Sequence, residues 1–219
     1  MKKVIFVIVL FLSCYVVYNV TEDNRVNYMA IGDGIVFGYK DLISDYLMDS
    51  KKLDNFNDSF VNCDYRITDL INKIKYNDYV VLDNKRVYIN QVLKEADIIT
   101  LSIGNNELYY KISLNNEGIY EYIENMLYDM DILFKEINRY NHRLVFVTGV
   151  YNYFGGNSDL IDYVNLKIKR MAFEEGFVFI DIDFLNNRYD FFDETKGIWP
   201  NMSGYNKIFQ IILEKMKDY

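Results

Sequence analysis

Residues 28–39 read YMAIGDGIVFGY, and no other segment carries as much information about the fold. The first half belongs to an apolar run that begins at Val26 and is typical of a buried parallel strand. The run ends at Gly32-Asp33-Gly34, and a helical pattern follows from about Tyr39 to Asp49. We therefore expect a strand over 26–31, a glycine-containing turn and a helix that leads away from the sheet.

Apolar runs alternate with amphipathic stretches along the rest of the chain. The predicted strands are Val26 to Ile31, Ser59 to Cys63, Ile98 to Ile103, Leu144 to Val150 and Phe177 to Ile182. The predicted helices are about Tyr39 to Asp49, Arg66 to Lys75, Val87 to Ala96, Ile119 to Arg139, Ser158 to Glu175 and Ser203 to Lys217. This alternation predicts a three-layer α/β/α sandwich around a five-stranded parallel sheet, with strand order 2-1-3-4-5.

The chain divides into a short targeting segment and one domain. Its 219 residues suffice for a single full core but not for two, and a hydrophobic fraction of 51% indicates a globular protein. Residues 1–23 are predicted to form a signal anchor with its tether. Residues 24–219 are predicted to form the domain.

The N-terminal segment has the charge pattern of a membrane anchor. Met1-Lys2-Lys3 precede an uncharged run from Val4 to Val20, and Thr21-Glu22-Asp23 follow it. As a helix this run would reach about 25 Å, against about 30 Å for a hydrocarbon core. We expect the N-terminus inside the cell and the domain outside it. The alternatives are a cleaved signal peptide, which would give a secreted protein, and a lipoprotein with lipidated Cys14 in Phe11-Leu12-Ser13-Cys14.

Charge and composition exclude several classes of function. The formal net charge is −8, and the absence of a basic run argues against nucleic acid as a partner. Cys63 has no second cysteine in the domain, so no disulfide framework is expected. A single histidine argues against a Cys/His metal site. We expect no cofactor.

Three glycine- and asparagine-containing segments should meet at one edge of the sheet. They are Gly32 to Gly38, Gly104 to Glu107 after the third predicted strand, and Trp199 to Tyr205 before the last helix. The carboxyl ends of parallel strands lie together, beside the point where strand order reverses, and ligands bind there. His142 precedes the fourth predicted strand, so we expect it at the surface of the opposite edge.

These segments, in this order, resemble the sequence blocks of the SGNH/GDSL hydrolases, over residues 26–218. Gly32-Asp33-Gly34 resembles the Gly-Asp-Ser turn, Gly104 and Asn106 match Gly-x-Asn-Asp, and Pro200-Asn201 with Gly204-Tyr205 match the last block. The resemblance implies an esterase or lipase fold. In that family a serine attacks an ester, a histidine acts as base, and an aspartate orients the histidine.

At each of those three positions this chain has another residue. The family's serine falls on Gly34, its histidine on Trp199 and its aspartate on Lys196. Glu107 replaces the aspartate of the third block. In the second block, from Asn62 to Leu70, Asp64 stands where a glycine amide would line the oxyanion hole.

The resemblance therefore predicts an inactive hydrolase-like protein that keeps a binding cleft. The predicted cleft residues are Gly32, Asp33, Gly34, Asp64, Gly104, Asn106 and Trp199. Its implied ligand is an acylated lipid or an O-acylated envelope glycan, or a protein partner. One alternative is an active esterase or O-acetyl esterase with a nonstandard site. A more distant one takes Gly32, Gly34 and Gly38 as a nucleotide-binding turn.

Several site residues also have structural interpretations. Asp33 is interpreted as a carboxylate that caps backbone amides. Asn106 would either hold a polar ligand or fasten two loops. Trp199 would either plug the cleft or offer a flat face to a sugar ring or acyl chain. Ser102 lies within a strand, and Ser203 is predicted to be the N-cap of the last helix.

Overall fold

The computed structural model describes residues 25–114, 117–153, 158–186, 188–192 and 197–219. The predicted anchor, 1–23, and Lys196 lie outside the described residues. Within these ranges, no helix combines the length and apolar character that a membrane crossing requires.

The described chain alternates strands and helices. The strands are β1 (Val26–Gly32), β2 (Leu53–Val61), β3 (Tyr79–Leu82), β4 (Lys85–Tyr88), β5 (Ile98–Ser102), β6 (Leu144–Thr148) and β7 (Val178–Ile180). The α-helices are α1 (Gly34–Asp49), α2 (Ile67–Lys75), α3 (Ile89–Glu95), α4 (Asn105–Leu114), α5 (Ile119–Tyr140), α6 (Ser158–Glu174) and α7 (Met202–Met216). Two short 3-10 helices, Asp183–Leu185 and Tyr189–Phe191, lie between β7 and α7.

The main sheet is parallel and has the order β2-β1-β5-β6-β7. Apart from the separate pair β3–β4, this is the predicted order 2-1-3-4-5, so the prediction is confirmed. Strand β1 is flanked on both sides, since Tyr28 pairs with Phe56 of β2 and with Ile98 of β5. The carboxyl end of β1 therefore lies between those of β2 and β5.

Side chains of β1 alternate between two cores, one on each face of the sheet. Met29 and Ile31 pack with α2, α3, α4, α5 and α6. Tyr28 and Ala30 pack with α1 and α7 on the opposite face. The long helix α5 buries one apolar face, formed by Ile119, Ile123, Met126, Leu127, Met130, Leu133, Phe134 and Ile137. The three-layer α/β/α sandwich is thereby confirmed.

Helix α1 begins at Gly34, five residues before the predicted start at Tyr39. Glycine is unfavourable inside helices, so the sequence pattern around Gly34 and Gly38 did not indicate this first helical turn. The aromatic rings of Trp199 and Tyr205 lie against these two glycines. Tertiary packing therefore overrides the local preference.

Helix α7 is capped by Asn201, and the prediction that Ser203 is the N-cap was wrong. The Asn201 side-chain oxygen accepts hydrogen bonds from the backbone N–H groups of Ser203 (2.9 Å) and Gly204 (3.2 Å). Asn201 has an extended backbone, which places its side chain over the first helical turn. Ser203 is already inside the helix.

One hairpin and one α-helix of the described chain were not predicted. Strands β3 and β4 form an antiparallel hairpin whose turn residues, Asp83 and Asn84, both have positive φ (48° and 63°). Asparagine and aspartate tolerate this conformation, which suits a two-residue hairpin turn. Because the hairpin extends to Tyr88, the helix that was predicted to begin at Val87 begins at Ile89. The unpredicted helix, α4, starts with Asn105 and Asn106. Asparagine has a low helix propensity, so the sequence did not indicate a helix there.

Strand β2 starts at Leu53, earlier than the predicted Ser59. Its first half is polar, and β1 is its one partner within the described chain. Polar and charged residues are common on edge strands, where they prevent pairing between molecules. A pattern based on buried strands therefore missed this half.

Candidate functional site

The turn after β1 is packed tightly against the end of β5. Gly32 has a φ of 127°, and a Cβ atom there would overlap the carbonyl oxygen of Ser102. The backbone N–H of Asp33 donates to that same oxygen (2.8 Å). This close approach requires glycine at position 32. It brings the first two predicted site segments, Gly32 to Gly38 and Gly104 to Glu107, together.

Asp33 is a fully buried carboxylate with three donors. It accepts hydrogen bonds from the Ile35 backbone N–H (3.1 Å), the Ser102 hydroxyl (2.8 Å) and the Asn105 side-chain amide (3.3 Å). Burial raises the pKa of Asp33, while these donors act in the opposite direction. Asp33 is the N-cap of α1. Its interpretation as a capping carboxylate is confirmed, and Ser102 lies within a strand, β5, as predicted.

The ring of Trp199 lies directly against Gly34. A Cβ atom at position 34 would come within 2.5 Å of Trp199 Cε2 and 2.6 Å of Cδ2. Trp199 is partly buried and packs on the core formed by α1 and α7. It occupies the space that any side chain at position 34 would need. The partly exposed remainder of the ring still reaches solvent.

Tyr205 also links the start of α7 to the start of α1. Its ring lies where a Cβ atom of Gly38 would be, and its hydroxyl donates to the Gly34 carbonyl (3.2 Å). The last predicted site segment therefore does meet the first one. The Tyr205 ring requires glycine at position 38, as the Trp199 ring requires it at position 34.

Asn106 fastens two loops. Its side-chain amide donates to the carbonyl oxygens of Cys63 (2.7 Å) and Tyr65 (2.8 Å), which uses both of its N–H bonds. The Asp64 backbone N–H donates to the Asn62 side chain (2.9 Å), and the Asp64 carboxylate is exposed. Two donors that the resemblance assigns to an oxyanion hole are thus bonded within the chain.

Glu107 is buried beside this loop. One oxygen accepts from the backbone N–H of Ile67, the first residue of α2 (2.6 Å). The other oxygen has no hydrogen-bond partner in the described part of the chain. Burial raises the pKa of Glu107 to about 7. The carboxyl group therefore titrates near neutral pH.

Cys63 is a nearby residue that the sequence did not assign to the site. It lies two residues after β2, next to β1, and its place at the end of the predicted strand Ser59 to Cys63 was the signal that could have identified it. Burial raises the pKa of its thiol, and the neighbouring Asp64 and Asp33 raise it further. A reactive cysteine needs the opposite shift, because the thiolate is the nucleophile.

The remaining predicted residues are spread around the site. Gly104 forms the turn between β5 and α4 with a φ of 104°. His142 is exposed before β6 and contacts the Asn138 side chain (3.1 Å), at the opposite edge of the sheet, as predicted. Across the ranges that the structure describes, no cluster of three histidine, cysteine or acidic side chains is arranged to hold a metal ion.

A small pocket beside Trp199 was also missed. It lies between the start of α4 and the loop after β6, and Asn105, Tyr151, Asn152 and Ile198 contribute to its wall. The Tyr151 hydroxyl donates to the Ile198 carbonyl and ties this wall to the segment that carries Trp199. The predicted strand ended at Val150, and no motif in the sequence marks Tyr151 or Asn152, which follow it.

The fold is shared with solved hydrolase structures. A catalytic mutant of Axe2, an acetylxylan esterase from Geobacillus stearothermophilus, has a TM-score of 0.64 at 14% identity, over 86% of this chain and 93% of that one. Axe2 itself has a TM-score of 0.63 at 13% identity, with the same coverage. LAE5, an alpha/beta hydrolase from the metagenome of Lake Arreo, has a TM-score of 0.61 at 19% identity, over 86% and 94%.

At these identities the comparison shows the fold and no more: a three-layer α/β fold with a five-stranded parallel sheet, which these hydrolases share. No protein-family model matches the chain. No curated protein matches it either.

Proposed function

We propose that this chain is a catalytically inactive member of the SGNH/GDSL hydrolases, which binds a ligand at the edge where β1, β2 and β5 end. The observation that carries the proposal is the Trp199 ring against Gly34. A hydrolase of this type needs a hydroxyl at position 34 and open space for an ester above it. Here an aromatic ring fills that space.

The chemistry of ester hydrolysis also supports the proposal. It needs a nucleophile, a base, a group that orients the base, and donors to the oxyanion. Gly34, Trp199 and Lys196 carry none of the first three functions. In serine hydrolases, loss of the triad costs about 10⁶ in turnover and leaves roughly 10³-fold over water through the oxyanion donors and binding. The Asn106 amide and the Asp64 backbone N–H already form hydrogen bonds within the chain, so they cannot donate to an oxyanion. This lowers the remaining rate acceleration further.

The proposed ligand is an O-acylated envelope glycan, with an acylated lipid or a protein partner as the other options. Structures similar in fold are named as esterases of acetylxylan, an acylated glycan. This favours a glycan over a lipid. The alternative function, an active esterase with a nonstandard site, is also supported by these comparisons, because the similar structures are esterases.

The nucleotide-binding alternative has no support at the glycine turn. A nucleotide phosphate binds at a helix N-terminus, where backbone N–H groups point at it. At the start of α1 the Asp33 carboxylate already accepts the Ile35 N–H. A second anion there would meet a buried acidic group.

Activity assays on the purified full-length protein test the proposal. With p-nitrophenyl acetate we expect no turnover above a heat-killed control, and with a fluorophosphonate no labelled serine. An active acetyl esterase run in parallel validates the assay. Turnover that the fluorophosphonate abolishes, with the label on a serine peptide, would establish the active-esterase alternative instead.

We also propose that residues 1–23 anchor the protein in the cell membrane, with the domain at 24–219 outside the cytoplasm. The two lysines before the apolar run support this orientation. Protease added to intact protoplasts should remove the domain. Protection until lysis would contradict the orientation, and a lipid on Cys14 or release into the medium would replace the anchor with one of its alternatives.

A further inference from the structure

A large groove lies at the edge of the sheet where the strands begin, opposite the candidate site. It is lined by Val26, Ile98 and Leu144, at the starts of β1, β5 and β6, and by the last turns of α1 and α7. Its volume is about 660 Å³, within the roughly 300–1,000 Å³ typical of pockets that hold small molecules. The groove can therefore accept a group as large as a lipid headgroup.

The groove is apolar inside and mainly cationic at its rim. Ile98 is buried, whereas Lys52, Arg143 and Lys217 are exposed. Arg143 forms an ion pair with Asp97, which is the one acidic side chain among the described residues of the lining. This excess of positive charge contrasts with the formal net charge of the chain, which is −8. The rim therefore attracts anionic groups from outside the protein.

Two tyrosines also stand at the rim of the groove. Tyr46 of α1 is 39% exposed, and Tyr219, which follows α7, is 77% exposed. Tyrosine is enriched at membrane–water interfaces, because its ring is apolar and its hydroxyl group is polar. Lysine and arginine suit the same level of a membrane, since their stems are apolar and their charged ends reach the headgroups. The lining of the groove thus matches the headgroup layer of a bilayer.

The length of the chain before β1 places the groove near the membrane. Val26 lines the groove and begins β1, while the apolar run of the proposed anchor ends at Val20. Over this separation in sequence a chain spans at most about 20 Å. The headgroup layer of one leaflet takes up roughly 5–8 Å of that distance. Whatever path residues 21–25 take, the groove lies within about 15 Å of the headgroups.

We propose that this groove docks on the anionic phospholipid headgroups of the membrane that holds the anchor. Lys52, Arg143 and Lys217 would contact lipid phosphates, and Tyr46 and Tyr219 would lie among the headgroups. The proposal rests on the proposed anchoring by residues 1–23. It adds an orientation, because a short tether limits the distance of the domain from the membrane but not the side that faces it.

This orientation bears on the ligand of the candidate site. Strand β1 has 7 residues and runs from the groove to the site, a distance of about 20 Å. With the groove on the membrane, the site faces away from the bilayer. Its ligand then comes from the envelope outside that membrane, which favours the glycan over a lipid of the same bilayer.

Tryptophan quenching in vesicles measures the orientation. The full-length protein is reconstituted in vesicles of phosphatidylcholine and phosphatidylglycerol that carry a nitroxide quencher on a fraction of the headgroups. Tyr46→Trp in a Trp199→Phe background puts the single tryptophan at the groove. Tyr109→Trp in the same background is the matched control, because Tyr109 is 41% exposed and lies on α4, which starts at the candidate site. We expect at least threefold stronger quenching at position 46.

The unaltered protein gives a second measurement that needs no substitution. Trp199 is its single tryptophan and lies at the candidate site, against Gly34. We expect headgroup nitroxides to quench Trp199 no more strongly than the Tyr109→Trp reporter. Circular dichroism checks that both reporter variants are folded.

Charge reversal tests the cationic rim. In the Tyr46→Trp reporter, Lys52→Glu together with Lys217→Glu should weaken the quenching at least twofold, because the rim would then repel anionic headgroups. Vesicles of phosphatidylcholine alone should weaken it as well. Lys111→Glu together with Lys207→Glu is the matched control, since it makes the same change of charge on α4 and α7, away from the groove. This pair should leave the quenching unchanged.

Several results would overturn the proposal. They are quenching at position 109 as strong as at position 46, or quenching at position 46 that neither the reversal of Lys52 and Lys217 nor the removal of phosphatidylglycerol weakens. Absence of quenching at both positions would also overturn it, and would mean that the tether or a second copy of the chain covers the groove.

Flotation of the vesicles distinguishes a failure of docking from a failure of the anchor. Protein that does not float with the vesicles contradicts the anchor and the docking together. Protein that floats without stronger quenching at position 46 contradicts the docking alone. Ester hydrolysis in the activity assays would overturn catalytic inactivity and leave the quenching results unaffected.

Discussion

Gly34 and Trp199 are mutually dependent, since the ring fits where the side chain at position 34 is absent. Position 34 lies in the first turn of α1, where alanine by itself favours the helix over glycine. Any cost of a side chain there must therefore come from the ring. The pair explains why a glycine and a tryptophan together replace the two residues that the resemblance assigns to catalysis.

Gly34→Ala should accordingly destabilise the protein by about 1–3 kcal/mol, the usual cost of overpacking. In a Trp199→Ala background the same change should cost much less, because the ring is gone. Chemical denaturation of the two single variants and the double variant gives the coupling energy, which we expect to exceed about 0.5 kcal/mol. Equal costs in both backgrounds would contradict the contact.

Glu107 should make stability depend on pH. Its pKa is raised from 4.5 to about 7, so the folded protein holds the proton more tightly than the unfolded chain. The resulting stability is complete below pH 4.5 and is lost as the pH rises through about 7. The shift corresponds to at most roughly 3 kcal/mol, at 1.36 kcal/mol per pKa unit.

Glu107→Gln should remove this loss, since glutamine stays neutral and can still accept from the Ile67 N–H. Denaturation curves at pH 5 and pH 8 measure the difference between variant and wild type. Asp33, whose pKa is also raised, is present in both proteins and cancels. Glu121→Gln, at an exposed position, is the control. A pH dependence identical in all three proteins would contradict the assignment.

At the scale of elements, the start of α7 is the joint that positions Trp199 and Tyr205. Asn201 accepts from two N–H groups of the helix and donates to the carbonyls of Asp190 (2.9 Å) and Phe192 (3.3 Å). One side chain therefore caps the helix and ties it to the preceding 3-10 segment. Ser203, in contrast, is exposed.

Asn201→Ala should cost about 1–2 kcal/mol from the lost cap, and more if the 3-10 segment detaches. Asn201→Asp keeps the acceptor oxygens and loses the donated bonds, so its cost should be smaller. Ser203→Ala should stay within about 0.5 kcal/mol of wild type. Thermal denaturation of the three variants checks this order. A larger loss of stability for Ser203→Ala than for Asn201→Ala would mean that Ser203, and not Asn201, is the N-cap.

At the scale of the whole molecule, the parallel sheet gathers distant segments at one edge. If that edge still has the geometry of the family, Gly34→Ser, Lys196→Asp and Trp199→His together should create measurable acetyl-ester hydrolysis. No single change should suffice, because triad residues act as a unit. Gly34→Ser in particular needs Trp199→His, which removes the ring from its path.

We expect the gain to be small, because Asn106 already uses both N–H bonds and Asp64 would repel an oxyanion. Adding Asp64→Gly should increase it. Release of p-nitrophenol by the purified variants measures the gain, with circular dichroism as the control for folding. A well-folded quadruple variant without turnover would leave only the shared fold.

The sheet and its order were predictable because they rest on local properties. A buried parallel strand needs a continuous apolar run, and such runs are visible as letters in the sequence. The prediction failed where local preference and tertiary packing disagree, as at Gly34, at the polar half of β2, and at Asn105 in α4. At each of these places a contact with a distant element compensates for an unfavourable local choice.

The sequence by itself determined that Gly34, Trp199 and Lys196 stand at the positions where the resemblance places nucleophile, base and orienting acid, because side-chain identity needs no coordinates. Only the tertiary structure decided that Trp199 covers Gly34, that Asn106 bonds to Cys63 across 43 residues, and that the buried Asn152 side chain has no hydrogen-bond partner among the described residues. These facts depend on which side chains meet after the strands have aligned. The packing of the whole chain determines these contacts, and they cannot be read from residues that are neighbours in the sequence.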